Sequence, residues 1–181
     1  MNIEVDIRNV VIRTKRLVLR PFNEDDLNDF FEYASVPGVG EMAGWSYHKN
    51  IEESKNILDM FISGNHTFAI EYENKVIGSL GIEKYDEKVY EEFKDKKGAE
   101  LGFVLSKDYW GKGIMPEAVE SVITYLIRQL DLDFITCSHF THNTQSCRVQ
   151  EKCGFKFYKD GKYETRMGDV FPAKYNILIV K

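Results

Sequence analysis

Gly111 and Gly113 stand two residues apart between an alternating apolar run and a long amphipathic run, in the stretch ELGFVLSKDYWGKGIMPE from Glu100 to Glu117. A strand, a glycine turn and a helix in that order present several backbone N–H groups at a helix N-terminus, where the partial positive charge favours an anion. Lacking Cβ atoms, both glycines let a phosphate approach the main chain. Pro116 suits the first helical turn, where no N–H is needed. Lys112 between them could add a phosphate contact or could simply be a solvated lysine. The P-loop spacing is absent, and Gly38-Val-Gly40 has no third glycine. On local chemistry alone, a phosphate seat and a plain strand-to-helix turn are both open.

Other residues could do proton chemistry. Glu100 opens the alternating run and shares one side of that strand with Gly102 and Val104. It is a candidate general base or a carboxylate at the sheet surface. His139 could take the base role from the next strand, a weaker candidate. Asn143 and Ser146 stand at the start of a short helical stretch, where both residue types cap helices routinely. Cys147 and Cys153 read as packing residues of that helix. No Ser-His-Asp order and no His/Cys spacing for a metal is present, so no metal site is expected.

The elements around these residues can be read from periodicity. Arg16 to Arg20 alternates charged and apolar residues as a strand, closed by Pro21. Asn23 caps a helix carrying Leu27, Phe30, Phe31 and Ala34, which Pro37 and Gly38 end. A loop from Glu41 to Lys49 contains Trp45, Tyr47 and His48, residues that could line a pocket or cover the core. Asn50 and Glu53 have capping-box spacing for a second helix with Ile57, Leu58, Phe61 and Ile62 on its apolar face. Two strands follow, His66 to Tyr72 and Lys75 to Lys84, joined at Glu73-Asn74. Tyr85 to Gly98 is rich in charge and reads as a solvated connection. The central strand runs from Ala99 to Leu105. The helix after the glycine turn places Met115, Ala118, Val119, Val122, Ile123, Leu126, Ile127 and Leu130 on one face. Asp133 to Phe140 is the next strand, and a short helix from Asn143 to Lys152 stops at Gly154. Phe155 to Tyr158, a turn at Asp160-Gly161, and Val170 to Val180, where Pro172 suggests an edge or bulge, complete a mixed α/β sheet.

The 181 residues fit a single domain, 1–181, with room for a real core. A net charge of −5 argues against nonspecific binding to nucleic acid or an anionic membrane. Three cysteines without a C-x-x-C pattern read as free thiols of a cytoplasmic protein. The charged start MNIEVDIRN is unlike a signal peptide, and no apolar run approaches the ~20 residues that span a bilayer.

The wording of the glycine stretch, ELGFVLSKDYWGKGIMPEA, closely resembles the acetyl-CoA-binding motif of the GNAT N-acetyltransferase superfamily, best in the branch that includes the ribosomal-protein N-terminal acetyltransferases. Thr14-Lys-Arg-Leu-Val-Leu-Arg-Pro21, Asn143-Thr-Gln-Ser146 and Glu151-Lys-Cys-Gly-Phe155 agree in order and spacing, so the resemblance covers nearly the whole chain. It implies a mostly antiparallel sheet with a central parallel splay, flanking helices, and acetyl-CoA in the split. The pyrophosphate would meet the N–H groups of Gly111, Lys112, Gly113, Ile114 and Met115. The pantetheine arm would lie along Phe103, Val104 and Leu105, with an N–H near Val104 or Leu105 as oxyanion donor. Asn143 would contact the arm, and Ser146 would hydrogen-bond the cosubstrate or help protonate the thiolate. Glu100 stands near the position where many family members carry an acid. Two departures stand out. Trp110 occupies the site of the family's glutamine or arginine, as is common in this branch, and Met115 replaces a small residue.

The implied activity is transfer of an acetyl group to a primary amine in a ternary complex. The acceptor would be a protein N-terminus, or else a polyamine or aminoglycoside. A non-catalytic acetyl-CoA-binding module is the reading outside enzymes. Homodimers are common among the proteins it resembles.

Overall fold

The computed structural model describes residues 1–181. One eight-stranded sheet runs through the molecule in the order β1-β2-β3-β4-β5-β6-β8-β7. The strands are β1 (Ile12–Arg13), β2 (Leu17–Pro21), β3 (Thr67–Tyr72), β4 (Lys75–Glu83), β5 (Gly98–Leu105), β6 (Phe134–Phe140), β7 (Lys156–Glu164) and β8 (Val170–Ile179). The helices are α1 (Leu27–Ala34), α2 (Ile51–Gly64), α3 (Ile114–Leu130) and α4 (Thr144–Lys152). Every strand pair is antiparallel except β5 with β6, as a crossover through α3 requires.

That parallel pair is short. β5 and β6 stay in register only at Gly98–Phe134, Ala99–Ile135 and Glu100–Thr136. Beyond it β4 holds β5 as far as Leu105, and β8 holds β6 as far as Phe140. The two halves of the sheet therefore part between β5 and β6 and leave a split lined by main chain.

Two apolar layers fix the halves. The stripe of α3, from Ile114 through Val119 to Leu126, packs with Leu17, Leu19, Phe68 and Leu101 as the main core. On the other face α1 and α2 contribute Phe30, Tyr33 and Leu58 against Phe22 and Val76. Asn23 caps a short 3-10 turn (Glu24–Asp26) that leads into α1, and Asn50 caps α2 by accepting from the Glu53 amide at 3.0 Å. Glu73 and Asn74 both have positive φ, 49° and 63°, the conformation of a tight hairpin turn.

Three expectations need correction. Tyr85 to Gly98 is not merely a solvated connection. Tyr85 and Tyr90 are buried, pack with Phe134 and Ile177, and form a third apolar cluster. Asn2 pins this segment by accepting from the Tyr85 amide at 2.8 Å. Ile127 is 39% exposed, so the buried stripe of α3 is narrower than its sequence. Asp160-Gly161 is not a turn. β7 runs straight through it, and Gly161 is needed because a Cβ there would lie 2.4 Å from the Tyr175 ring. The chain reverses instead at Thr165 to Asp169, where the Thr165 amide donates to the Asp169 carbonyl at 2.7 Å and Gly168 has φ +87°. Pro172 pairs with Lys162 of β7 and lies past the last β6 partner at Ala173, where its carbonyl still accepts from the Thr141 amide at 3.0 Å, so its missing N–H falls where the ladder with β6 ends.

Candidate active site

Between β5 and α3 the chain makes a tight turn in which Gly111 and Gly113 have φ +73° and +72°. L-residues rarely adopt these angles, which is why glycine stands at both positions. No atom lies within 4 Å of where a Gly111 Cβ would be, and only Arg16 Nη2, at 3.7 Å, approaches that of Gly113. None of the amides of Gly111, Lys112, Gly113, Ile114 and Met115 donates to another main-chain or side-chain group. Five N–H groups at the positive end of a 17-residue helix therefore have no partner within the protein. Pro116 is the third helical residue, where an N–H would have no partner.

Arg16 holds this turn in place, a role that the sequence did not reveal. Its Nη1 donates to the Lys112 carbonyl at 3.0 Å, and its Nε pairs with Glu117 Oε2 at 2.7 Å. Thr14 Oγ1 and the Arg16 amide both donate to Glu117 Oε1, at 2.6 and 2.9 Å. Burial alone would raise the Glu117 pKa, but these bonds and the guanidinium charge more than offset it and hold the carboxyl below its ordinary value. Thr14 and Arg16 belong to the motif Thr14–Pro21, whose composition gives no hint of a partner a hundred residues away. Arg16→Gln is expected to weaken coenzyme A binding about tenfold, the scale of one lost charged hydrogen bond. Calorimetry checks this, and saturated turnover should stay near that of the parent.

The other predicted binding residues fall around the same opening. Trp110 Nε1 donates to the Leu105 carbonyl at 2.8 Å and ties the turn to the end of β5. Lys112 is exposed, with its ammonium 5.2 Å from the Tyr109 ring centre. Met115 is only 4% exposed and buries its bulk in the α3 core.

Along β5 the main chain alternates sides. The Leu101 carbonyl accepts from Cys137 Sγ on β6, and the Leu105 carbonyl accepts from Trp110, so both point away from β4. Phe103, between them at period two, turns its amide and carbonyl into the split. Val104 does not. Its carbonyl faces β4, where a Cβ on Gly78 would lie 2.4 Å from it. Of the two amides expected as alternative oxyanion donors, that of Val104 faces β4 and that of Leu105 faces the split.

Glu100 sits at the last paired position before the split, across β4 from Glu83. Ser138 Oγ donates to its Oε1 at 2.9 Å. Burial raises the carboxyl, helped by the charges of Asp86 and Glu83 and opposed by the Ser138 bond, so the pKa is pushed up to about 7 from 4.5. That value suits a base working near neutrality. Ser138 lies 38 residues away, and nothing in the sequence linked the two.

His139, the alternative base, is buried on the opposite face of β6 from Ser138. Its Nδ1–H donates to the Phe140 carbonyl at 2.9 Å, and its Nε2 has no partner. Desolvation pushes the Cys153 thiol up to about 12 and also raises Cys147 and Cys137, which suits thiols rather than nucleophiles.

Asn143 Oδ1 accepts from the Ser146 amide at 3.0 Å and caps α4, while its Nδ2 donates to the Met42 carbonyl at 3.1 Å. Each end of that amide has one partner, which leaves one Nδ2 hydrogen and one Oδ1 lone pair for a pantetheine arm. Ser146 is half-buried, and its Oγ accepts from Gln150 Nε2 at 3.1 Å.

Gly111, Gly113, Trp110, Glu100, Ser138, Asn143 and Ser146 line one cleft of about 840 Å³, while Arg16, Lys112 and Glu117 brace the turn from outside its lining. Its lining includes Gly111 and Gly113, β5 from Glu100 to Leu105, Ser146, and the aromatic and apolar side chains of Val39, Trp45, Phe61 and Tyr163. Trp45 faces the cleft, whereas Tyr47 is 37% exposed and stands apart from it. No group of three or more His, Cys, Asp or Glu is placed to hold a metal ion.

The fold and the cleft together define an acyl-transfer scaffold: a split sheet with an anion seat at one end and a carboxylate at the other. Residues 16–156 match the family model for the acetyltransferase (GNAT) domain, and the chain belongs to that family. Among curated proteins it is 25% identical to the uncharacterized N-acetyltransferase p20 of Bacillus licheniformis, over 87% of this chain and 91% of that one. Among solved structures, a GNAT-family acetyltransferase from Bacillus anthracis superposes with a TM-score of 0.79 at 23% identity, covering 94% of this chain and 98% of the other. RimL, a ribosomal L7/L12 α-N-protein acetyltransferase solved with coenzyme A, superposes with a TM-score of 0.75 at 17% identity, covering 94% and 98%. As a family member the chain is an N-acetyltransferase with acetyl-CoA as cosubstrate. Its residues fit that role, since the open Gly111–Gly113 turn offers a diphosphate seat and the Phe103 main chain and Leu105 amide face away from β4 into the split.

Proposed function

We propose that this protein transfers an acetyl group from acetyl-CoA directly to a primary amine bound in the outer part of the cleft, and that the acceptor is a protein N-terminal α-amine. The observation carrying this reading is the set of five unpaired amides from Gly111 to Met115, which opens onto the same cleft as Glu100. These amides, with Lys112 and Arg16 nearby, take the diphosphate. Phe103 and Leu105 offer their main chain to the pantetheine arm, and Asn143 and Trp110 fix the walls beside it. The cosubstrate supplies an activated thioester carbonyl.

Around that carbonyl the chain provides three things. The Leu105 amide donates to the oxygen as negative charge develops there. Glu100, held by Ser138, accepts a proton from the attacking amine, directly or through water. Ser146 donates a hydrogen bond to the sulfur as it becomes a thiolate. An N-terminal amine, with a reference pKa of about 7.7–8.0, is substantially neutral near pH 7.5, so a base titrating near 7 matches it. A polyamine or other alkyl amine of lysine-like pKa near 10.4 is almost entirely protonated there and needs far more help.

Every residue given a role here belongs to one chain, and the homodimer common in resembling proteins is a further part of the proposal. No helix is long and apolar enough to cross a membrane. Cytoplasmic placement, with its three cysteines free, is part of the same proposal.

Free-thiol release across a panel of peptides, polyamines and aminoglycosides tests the reading. Release with peptides bearing free α-amines, and none with the same peptides N-terminally blocked, is expected. Release with polyamines or aminoglycosides alone would move the acceptor to that class. Tight acetyl-CoA binding without release from any amine would leave a binding module.

A further inference from the structure

Behind Ser146 lies a buried amide that no ligand in the cleft can touch. Gln150 is 1% exposed and sits one helical turn beyond Ser146 on α4. Its Nε2 donates to the Ser138 carbonyl and to Ser146 Oγ, both at 3.1 Å, and its Oε1 accepts from Asn176 Nδ2 at 2.6 Å. The Asn176 carbonyl is in turn held by the Tyr90 hydroxyl at 3.0 Å.

The chemistry of these partners fixes every proton. The Ser138 carbonyl can only accept, so the amide nitrogen of Gln150 must face it. The same nitrogen then has one hydrogen left for Ser146, whose oxygen must accept it. The Ser146 hydroxyl hydrogen is thereby excluded from the Gln150 side. It makes no bond to the carbonyl four residues back either, the usual outlet for a helical serine. The remaining direction for it is the cleft that Ser146 lines. Gln150 also grips the main chain of Ser138, whose side chain holds Glu100. One buried side chain thus sets the register between the strand that orients the carboxylate and the helix that carries the hydroxyl.

We infer that Gln150 is a positioning residue that commits the Ser146 hydroxyl to donate toward the sulfur of the cosubstrate. This rests on the functional reading above and adds the device that makes Ser146 a donor rather than an acceptor. A donor aimed at sulfur stabilises the thiolate over the thiol, so it lowers the thiol pKa of bound coenzyme A.

The test is an ultraviolet titration of the thiolate of bound coenzyme A, with desulfo-coenzyme A as the blank for the protein's own cysteines. In the parent protein the bound thiol should titrate below free coenzyme A. Ser146→Ala and Gln150→Met should each raise it by a similar amount, and the double variant should raise it no further. Turnover in Gln150→Met should fall about tenfold, with KM for acetyl-CoA within about twofold, as for loss of one hydrogen bond to a charged group. Gln150→Glu offers a second route should the methionine variant not fold. Its carboxylate would take the Ser146 hydrogen, so the same rise is expected. Parent-like titration in both Gln150 variants would overturn the inference. So would an equal rise with and without Ser146, since a merely structural role would act in both backgrounds. Failure of the parent protein to bind coenzyme A at all would be visible before any substitution. It would remove the functional reading and this inference together.

Discussion

Glu100→Gln should reduce kcat about a hundredfold at pH 8 while making the protein more stable at the same pH. The loss follows from removing a base, whose contribution is typically ~10²–10⁴. The gain follows from the way the fold treats the charge. Burial and the nearby carboxylates of Asp86 and Glu83 raise the Glu100 pKa to about 7 from 4.5. The folded state therefore binds this proton more tightly than the unfolded state does, and Glu100 costs stability as pH climbs from 4.5 through 7, with the full cost above that. A neutral glutamine keeps the acceptor for Ser138 and removes the buried charge. At ~1.4 kcal/mol per pKa unit, discounted for partial exposure, the variant should be about 2 kcal/mol more stable at pH 8. The advantage should vanish below pH 4.5, where both side chains are neutral. In the parent, kcat/KM should rise with pH through about 7, and the variant should lose that limb. A pH–rate profile in Glu100→Gln that matches the parent would remove Glu100 from the mechanism. Equal melting temperatures at pH 8 would show that the carboxylate is better solvated than its burial implies.

Gly113→Val should abolish measurable coenzyme A binding, weakening it at least about a hundredfold, and should also lower stability. Gly113 has φ +72°, a conformation that a β-branched residue adopts only under strain of ~1–3 kcal/mol. Its missing Cβ opens onto the same space as the amides of Gly111 to Met115, with only Arg16 within 4 Å. A valine would fill that space and deflect the turn from the start of α3. Arg16→Gln separates the two effects, because it removes a strut of the turn without filling the seat. Unchanged affinity in Gly113→Val by calorimetry would place the nucleotide elsewhere.

The glycine turn could be read from sequence because its signals are local. Gly111, Gly113 and Pro116 each state a backbone requirement, and the apolar stripe of α3 repeats at helical spacing for four turns. The split itself followed from resemblance, since nothing in the residues of β5 or β6 says that their pairing stops at Glu100 and Thr136. Tyr85 to Gly98 misled because Tyr85, Tyr90 and Phe93 face inward from irregular chain, where no period marks burial among the charges. Asp160-Gly161 misled because that dipeptide is a turn signal, whereas the glycine actually makes way for Tyr175 across the hairpin. The site was divided in the same way. Glu100, Ser146 and the turn amides stand within motifs, but Arg16, Ser138 and Gln150 act on partners remote in sequence or through a neighbour's hydroxyl. Those contacts exist only once the sheet has formed. Val104 shows the limit of motif transfer at single-residue scale, because alternation along β5 turns its amide toward β4 and leaves Leu105 at the gap.

A crystal structure of the complex with coenzyme A is the most direct test of how this protein holds its cosubstrate. Diphosphate oxygens should lie within ~2.7–3.2 Å of several amides from Gly111 to Met115, and the pantetheine arm should run along Phe103 and Leu105 toward Ser146. A diphosphate bound away from those amides, or an arm that leaves the split between β5 and β6 empty, would contradict it.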